Sequence, residues 1–217
     1  GDVYKRQDLL EASRVLVNRT KRKKIINDLI NNTADKLKLY PDISDKLLNE
    51  ITDLVESPDL LVGNFDSKYL SLPTEVLCTV MKNHQRYIPL FKINRKFSKL
   101  DLDSKKTLST KFFLISNGLR EANKSITKGN ENVLKARFAD AKFFIETDLN
   151  LSCNERNKKI SSISYLKGLG NIADKVERII FIANEIFIAV KDSSVNVQEL
   201  LEAAKFSKHD LSSEIVK

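Results

Sequence analysis

Tryptophan is absent from the 217-residue sequence, and cysteine, methionine, proline and glycine are scarce, with 2, 1, 4 and 6 residues. The two cysteines, Cys78 and Cys153, lack a CxxC spacing. This excludes a cysteine zinc site or a disulfide framework and indicates a reducing compartment. No apolar run approaches the roughly 20 residues that span a bilayer, and the first residues lack the apolar stretch of a secretory signal. These absences predict a cytoplasmic protein without a membrane segment.

Charge, by contrast, is abundant: 37 lysine and arginine residues against 29 aspartate and glutamate residues give a formal net charge of +8. Such an excess favours anionic partners, because lysine and arginine displace condensed counterions from a phosphate backbone. The same excess also arises on the solvated surface of a protein from an AT-rich genome, where lysine is frequent. The basic run Lys21–Lys24 has the same two interpretations, an RNA contact or a solvated helix face.

Hydrophobic periodicity divides the first part of the chain into helices and a strand. A helical pattern covers residues 8–39, and a second helix begins at Ser44 and ends by Pro58. Residues 60–62 predict a buried strand. Residues 73–85 predict a third helix with a proline in its first turn.

The middle of the chain predicts a hairpin followed by a strong helix. Residues 87–93 and 111–116 are predicted strands, joined by an extended polar loop. Gly129 and Asn130 precede the helix. The core stripe of that helix consists of Leu134, Phe138, Ala141 and Ile145.

The pattern changes near residue 153, because only helices are predicted from there on. The longest covers residues 172–190 and follows the turn Gly168-Leu-Gly170. We therefore predict an α+β fold, with a mixed α/β domain over residues 8–152 and a helical domain over residues 153–217.

Both ends of the sequence look cut. Residues 1–7 fit poorly with the pattern that follows, and we expect them to be a non-native cloning or sequence-assembly scar. The last helical pattern runs into Lys217 without a stop signal. We therefore expect a fragment of a longer polypeptide.

Short motifs between Leu54 and Arg178 follow one another in a recognisable order. They are Leu54-Val-Glu-Ser-Pro58, Gly63-Asn-Phe-Asp66, Leu72-Pro-Thr-Glu-Val76, Met81-Lys-Asn-His-Gln-Arg-Tyr87, Ile115-Ser-Asn117, Gly129-Asn-Glu-Asn-Val-Leu-Lys-Ala-Arg137, Ala139-Asp-Ala-Lys-Phe-Phe144, Gly168-Leu-Gly170 and Asp174-Lys-Val-Glu-Arg178. In order and spacing, this set resembles the β subunit of the bacterial-type glycyl-tRNA synthetase.

The resemblance implies an α2β2 ligase that attaches glycine to tRNA(Gly), in which the α subunit uses ATP and Mg and the β subunit binds the tRNA. The chain would then be a non-catalytic part of the β subunit, without a cofactor, metal or catalytic residue of its own. Its partners would be the α subunit, tRNA(Gly) and the second β subunit. The mixed domain would resemble the editing-type domain of the phenylalanyl-tRNA synthetase β subunit, and the helical one the start of an HD-like domain. An editing or phosphohydrolase-like domain and a structural scaffold are the alternatives.

The strongest candidates for RNA contact lie between a predicted helix and a predicted strand. Lys82 and Arg86 offer cations for phosphates, His84 and Gln85 offer polar groups for base edges, and Tyr87 offers a ring for stacking. The alternative is a helix C-terminus at which His84 and Arg86 satisfy free carbonyl groups and Tyr87 packs inward.

A second candidate lies at the predicted helix start after Gly129. Backbone amides at a helix start bind phosphate, and Lys135 and Arg137 would reinforce such a site. In the alternative interpretation Asn130 caps the helix and Arg137 pairs with Asp140 or Glu131.

His209-Asp210 matches part of an HD metal site, which also needs a further histidine and a further aspartate. His84 belongs to the preceding predicted domain, and no aspartate follows Asp210 in the sequence. We therefore predict no metal site in this chain.

Overall fold

The structure is a computed structural model that describes residues 9–10, 15–94, 104–117, 120–191 and 194–216. Its contacts divide the chain into two compact units, residues 1–140 and 141–217. The division falls earlier than the predicted boundary after residue 152 and lies inside a helix. The α+β class is confirmed, and no helix in the described part of the chain is long and apolar enough to cross a bilayer.

Residues 9–10 of unit 1 are helical, and from residue 15 on its first helices are α1 (Arg19–Leu37) and α2 (Asp45–Leu54). The prediction that α1 begins at residue 8 is wrong, because residues 15–18 are not helical and the Asn18 side chain caps the helix. The predicted start of α2 is confirmed, since the Ser44 side chain accepts a hydrogen bond from the Leu47 amide. Lys38 ends α1 in the left-handed conformation.

The sheet of unit 1 has four antiparallel strands in the order β1-β3-β4-β2. The three longer strands were predicted, although β4 begins before residue 111; the short β1 was not. The loop predicted between β3 and β4 lies partly outside the described residues, and the short helix α4 (Ser104–Thr107) enters β4. The strands are β1 (Tyr40–Pro41), β2 (Asp59–Asn64), β3 (Ile88–Phe91) and β4 (Leu108–Ser116).

Helices α1 and α2 cover one face of this sheet. Ile26 and Ile30 of α1 are fully buried and belong to one apolar cluster with Ile51 of α2 and Phe113 of β4. On β2, Gly63 lies opposite Phe112, and a Cβ atom at Gly63 would lie 2.4 Å from the Phe112 ring. The sheet thus needs a glycine there to let that ring pack against the backbone.

Between β2 and β3 the chain forms helix α3 (Thr74–Thr79), which continues as a π-helix over Val80–His84. This confirms the helix predicted over residues 73–85, although Pro73 is the N-cap residue rather than part of the first turn. A π-helix has one more residue per hydrogen-bonded turn, is rare, and is frequently found at functional sites.

The long helix α5 (Asn123–Leu149) begins before the predicted position. Gly129 and Asn130 lie inside it, so the predicted loop at these residues is wrong. The Asn130 side-chain amide donates to the Ile126 carbonyl one turn earlier, at 2.7 Å. A Cβ atom at Gly129 would meet no other atom within 4 Å, and an exposed glycine costs a helix only about 1 kcal/mol relative to alanine.

Unit 2 contains the end of α5, α6 (Cys153–Lys159), α7 (Ile172–Val190) and α8 (Val197–Phe206). The all-helical prediction is wrong here, because β5 (Ser164–Leu166) and β6 (Gly170–Asn171) form an antiparallel hairpin. The Asp148 carboxylate accepts hydrogen bonds from the amides of Glu214 and Ile215 and so fixes the last described turn to α5.

Candidate nucleic-acid interface

The π-helix ends two residues before Arg86, and Arg86 lies in the turn that connects this helix to β3. The Arg86 amide donates to the Lys82 carbonyl at 3.2 Å, and the Tyr87 amide donates to the Met81 carbonyl at 2.9 Å. Arg86 has a φ of 56°, in the left-handed region, which costs a residue with a side chain about 1 kcal/mol. This turn directs Arg86 to the surface and Tyr87 to the interior.

Tyr87 is 3% exposed, and its hydroxyl donates to Asn130 Oδ1 at 2.5 Å. Its ring centroid lies 4.9 Å from that of Phe112. Tyr87 is therefore no exposed stacking platform on the outer surface, and the alternative in which its ring packs inward is confirmed. Burial raises the pKa of Tyr87 to about 12.

Alkaline pH should destabilise the chain through Tyr87. The unfolded state releases this proton near pH 10 and the folded state near pH 12, so stability falls as the pH rises between these values. The loss is at most roughly 3 kcal/mol. Tyr87→Phe should cost about 1 kcal/mol at pH 7, because Asn130 loses its donor, and should remove this pH-dependent loss.

Urea unfolding of both proteins from pH 7 to pH 12 measures this effect. The advantage of the unaltered protein in unfolding free energy should vanish near pH 11, where the loss through Tyr87 equals the cost of the substitution, and should reverse above that pH. A difference that stays constant over the whole range would show that Tyr87 has no raised pKa.

The other residues predicted to contact RNA in this segment differ in exposure and in how firmly their side chains are paired. Lys82 Nζ lies 2.5 Å from Asp42 Oδ2, and both side chains are about three-quarters buried, so Lys82 is held in an ion pair. Arg86 Nε lies 3.8 Å from Glu50 Oε2, and both of these side chains are nearly half exposed. Such an exposed ion pair contributes little to stability in water, so Arg86 can readily exchange Glu50 for another anion. His84 is exposed and Gln85 half-buried.

The predicted phosphate site at a helix start is wrong, because α5 begins at Asn123. The amides near Gly129 are interior helix amides, whose hydrogen bonds are made within the helix. Lys135 and Arg137 are exposed, but residues two positions apart point to opposite sides of a helix. The two side chains therefore do not converge on one phosphate.

The alternative pairing predicted for Arg137 is also absent. The Glu131 carboxylate accepts from the Asn64 amide at 2.9 Å and lies 3.8 Å from Lys128 Nζ. Within the part of the chain that the structure describes, the Arg137 side chain has neither a hydrogen bond nor an ion pair. It shares the side of α5 that carries Asn130, about 10 Å further along the axis.

The basic run of α1 proves to be partly structural. Arg22 donates to the Thr52 carbonyl at 2.8 Å and to the Leu16 carbonyl at 2.5 Å, which ties α1 to the end of α2. Arg19 binds Asp53 at 2.6 Å and lowers the pKa of that carboxyl. Lys21 and Lys24 are exposed.

A cleft of about 380 Å³ opens beside Arg86. Its apolar walls come from α2 and α5, and its polar groups come from the turn after the π-helix and from the end of β4. Sequence analysis missed Ser116 and Asn117 as members of this site, although Ile115-Ser-Asn117 is one of the motifs that carry the family resemblance. The lining residues are Ile51, Leu54, Val55, Gln85, Arg86, Tyr87, Leu114, Ile115, Ser116, Asn117, Ile126 and Asn130.

Two polar residues of β4 and its end have unused hydrogen-bonding capacity. Ser116 is buried, and its Oγ has no partner among the described residues. Asn117 Oδ1 accepts from the amides of Glu56 and Ser57 at 2.9 and 2.8 Å, which fixes the carboxamide. No described residue accepts from its Nδ2 group.

His209 in unit 2 does not stand among metal ligands. Its Nδ1 lies 2.6 Å from the Phe206 carbonyl oxygen, within the turn that ends α8. The described ranges contain no group of three or more histidine, cysteine, aspartate or glutamate side chains arranged to hold a metal ion.

Comparisons with known proteins place the whole chain in one family. The profile described as "Glycyl-tRNA synthetase beta subunit" matches residues 2–217. The chain is 35% identical to the "Glycine--tRNA ligase beta subunit" of Halothermothrix orenii over 209 residues, which are 96% of this chain and 29% of that protein. Proteins of the same description from Trichodesmium erythraeum and Bacillus subtilis are 35% and 33% identical, over 96% and 94% of this chain and 28% and 29% of their own. The chain thus spans under a third of the length of these curated relatives.

Proposed function

Because the chain belongs to the glycyl-tRNA synthetase beta subunit family, we propose that it works as part of a ligase that joins glycine to tRNA(Gly) at the expense of ATP. The match over residues 2–217 supports this proposal more strongly than any single side chain does. In the proposed assembly the α subunit uses ATP and Mg, and two β subunits hold the tRNA. The chain would position tRNA without carrying out the chemistry.

The finer fold assignments belong to the same proposal. Unit 1 would correspond to an editing-type domain like that of the phenylalanyl-tRNA synthetase β subunit, and unit 2 to the start of an HD-like domain. The cytoplasmic location stays a prediction from the sequence.

Correct positioning of the acceptor end against an activated amino acid accelerates transfer by orientation alone.

The charges of unit 1 support a particular RNA surface. Arg86 is exposed and only weakly paired, and Arg137 is exposed without a partner among the described residues. Lys82 is less available, because its ammonium group is held by Asp42. Lys135 projects to the other side of α5. We therefore place the RNA contact at Arg86 and Arg137, with His84 and Gln85 beside them.

Assembly and activity test the proposal directly. The full-length subunit that contains this chain is co-expressed with the α subunit of the same source, and glycylation of tRNA(Gly) is measured. We expect a stable complex and glycylation only when both subunits are present. Glycylation by the α subunit alone at the same rate, or no glycylation by the pair, would contradict the proposal.

The assembled enzyme should also bind tRNA(Gly) in a salt-dependent way, and Arg137→Ala should reduce this dependence. Loss of one phosphate contact lowers the slope of log K against log salt by about 1. Arg19→Ala is the matched control, because it removes the same charge while Arg19 is already paired with Asp53. Equal slopes of log K against log salt for the unaltered enzyme, Arg137→Ala and Arg19→Ala would show that Arg137 does not contact RNA. That result would favour a scaffold role for unit 1.

A further inference from the structure

The cleft beside Arg86 has the mixed character of a small-ligand site. Its volume of about 380 Å³ falls within the range of pockets that enclose small organic ligands. Ile51 and Leu54 of α2 and Ile126 of α5 supply apolar walls on either side. Leu54 remains 59% exposed, so part of this apolar wall is open to solvent.

The polar groups of the cleft come from the turn after the π-helix and from the end of β4. Gln85 and Asn117 each present a carboxamide, which offers both donors and acceptors to a planar heterocycle. The Asn117 carboxamide is fixed by two backbone amides, and its Nδ2 group has no acceptor among the described residues. The Ser116 hydroxyl lies buried in the same wall without a described partner. Buried polar groups are normally satisfied, so this one needs an explanation.

Arg86 adds a cation at the entrance. Its guanidinium is nearly half exposed, and its contact with Glu50 is long, at 3.8 Å. The left-handed conformation does not by itself mark a site, because Lys38 and Lys191 adopt it at the ends of other helices. What distinguishes Arg86 is its position beside an open cleft. A guanidinium matches the geometry of a phosphate and binds it with two parallel hydrogen bonds.

We propose that this cleft receives one unstacked nucleotide of an RNA strand, with its base between the apolar walls and its phosphate on Arg86. The carboxamides of Gln85 and Asn117 then face the polar edge of the base. A base in a duplex is stacked on both faces and paired along one edge, so the cleft selects single-stranded RNA. This inference rests on the proposed function, since it identifies which part of the RNA unit 1 holds.

The test uses the full-length subunit assembled with its α subunit and a short single-stranded RNA that contains 4-thiouridine. Light cross-links the modified base to the side chains around it. We expect a cross-link to the peptide that contains Ile51 and Leu54, and none from the same sequence in a blunt duplex. An absent cross-link at this peptide, or an equal one from the duplex, would overturn the proposal.

Arg86→Gly removes the cation at a position where the backbone conformation favours glycine, so the variant is expected to fold. Lys38→Gly is its matched control, because it removes one positive charge at another left-handed helix end. We expect the cross-link yield at low RNA concentration to fall about tenfold in Arg86→Gly and to stay unchanged in Lys38→Gly. Equal yields in the two variants would overturn the role of Arg86.

Two further measurements complete the test. One distinguishes an RNA strand from a free nucleotide as the ligand, and the other distinguishes failure of the cleft assignment from failure of the proposed function. If 5′-AMP displaces the RNA at the concentration at which RNA displaces itself, the cleft binds free nucleotides and the assignment to an RNA strand is overturned. If the cross-link fails while the enzyme binds and glycylates tRNA(Gly), only the cleft assignment is overturned. An assembly that neither binds nor charges tRNA(Gly) overturns the proposed function itself.

Discussion

Replacing Phe138 by alanine should lower the free energy of unfolding of unit 1 by about 3–5 kcal/mol, as for other fully buried phenylalanines. The side chain is 0% exposed. Its ring stands edge-on to Phe65, with centroids 5.0 Å apart, and lies 5.5 Å from the Tyr69 ring. The variant therefore loses apolar burial and two aromatic contacts and leaves a cavity between α5 and the segment after β2.

Phe143→Ala is the matched control on the same helix. Phe143 is 64% exposed in this chain, and exposed substitutions of this kind change stability by about 0.5 kcal/mol or less. Urea unfolding of the 217-residue chain and both variants at 25 °C measures the two losses. Losses of equal size in the two variants would contradict the packing described for α5. A loss of about 3–5 kcal/mol corresponds to a rise in the unfolded-to-folded ratio by a factor of roughly 100 to 5,000.

Periodicity identified Phe138 because burial on a helix repeats every three to four residues. Leu134, Phe138 and Ala141 of the predicted stripe are buried, whereas Ile145 is only half-buried. The start of the same helix was missed, because Gly129 and Asn130 have the composition of a loop. Asn130 is kept helical by contacts that include a hydrogen bond from Tyr87, 43 residues away, and no local signal reports such a contact.

The candidate site is another feature that depends on contacts between residues far apart in the sequence. The Gln85-Arg86-Tyr87 segment was found by its residue chemistry, but the opposite directions of Arg86 and Tyr87 follow from the π-helix. Asn117 reaches the site because β2 pairs with β4, which brings its side chain to the Glu56 amide, 61 residues away. Residue types therefore predicted Gln85 and Arg86 but missed Ser116 and Asn117, and only the topology shows that these four residues share a cleft.

The β5–β6 hairpin was missed for a different reason. Its strands have three and two residues, which is too short for alternation to be recognised. The glycines of this turn were noticed as breakers, and both have positive φ, 83° for Gly168 and 79° for Gly170. Their surroundings differ, because a Cβ atom at Gly170 would meet Asp174 whereas one at Gly168 would meet nothing within 4 Å.

Gly170→Ala should destabilise unit 2 by about 2–3 kcal/mol, from left-handed strain and the loss of a helix cap. A Cβ atom at Gly170 would lie 1.9 Å from Asp174 Oδ2. That carboxylate accepts from the Asn171 amide at 2.8 Å, while Asn171 Oδ1 accepts from the Asp174 amide at 3.0 Å. The new methyl group would displace Asp174 and break this reciprocal cap at the start of α7.

Gly168→Ala is the control that measures the strain of a left-handed alanine without a collision between its Cβ atom and a neighbouring side chain. Its φ is nearly the same, but a Cβ atom at Gly168 meets nothing within 4 Å, so only about 1 kcal/mol should be lost. Urea unfolding and hydrogen exchange of the Asn171 and Asp174 amides measure both variants. Faster exchange at these two amides should appear in Gly170→Ala and not in Gly168→Ala. Equal losses in the two variants would mean that the cap of α7 does not depend on the space that Gly170 leaves for Asp174.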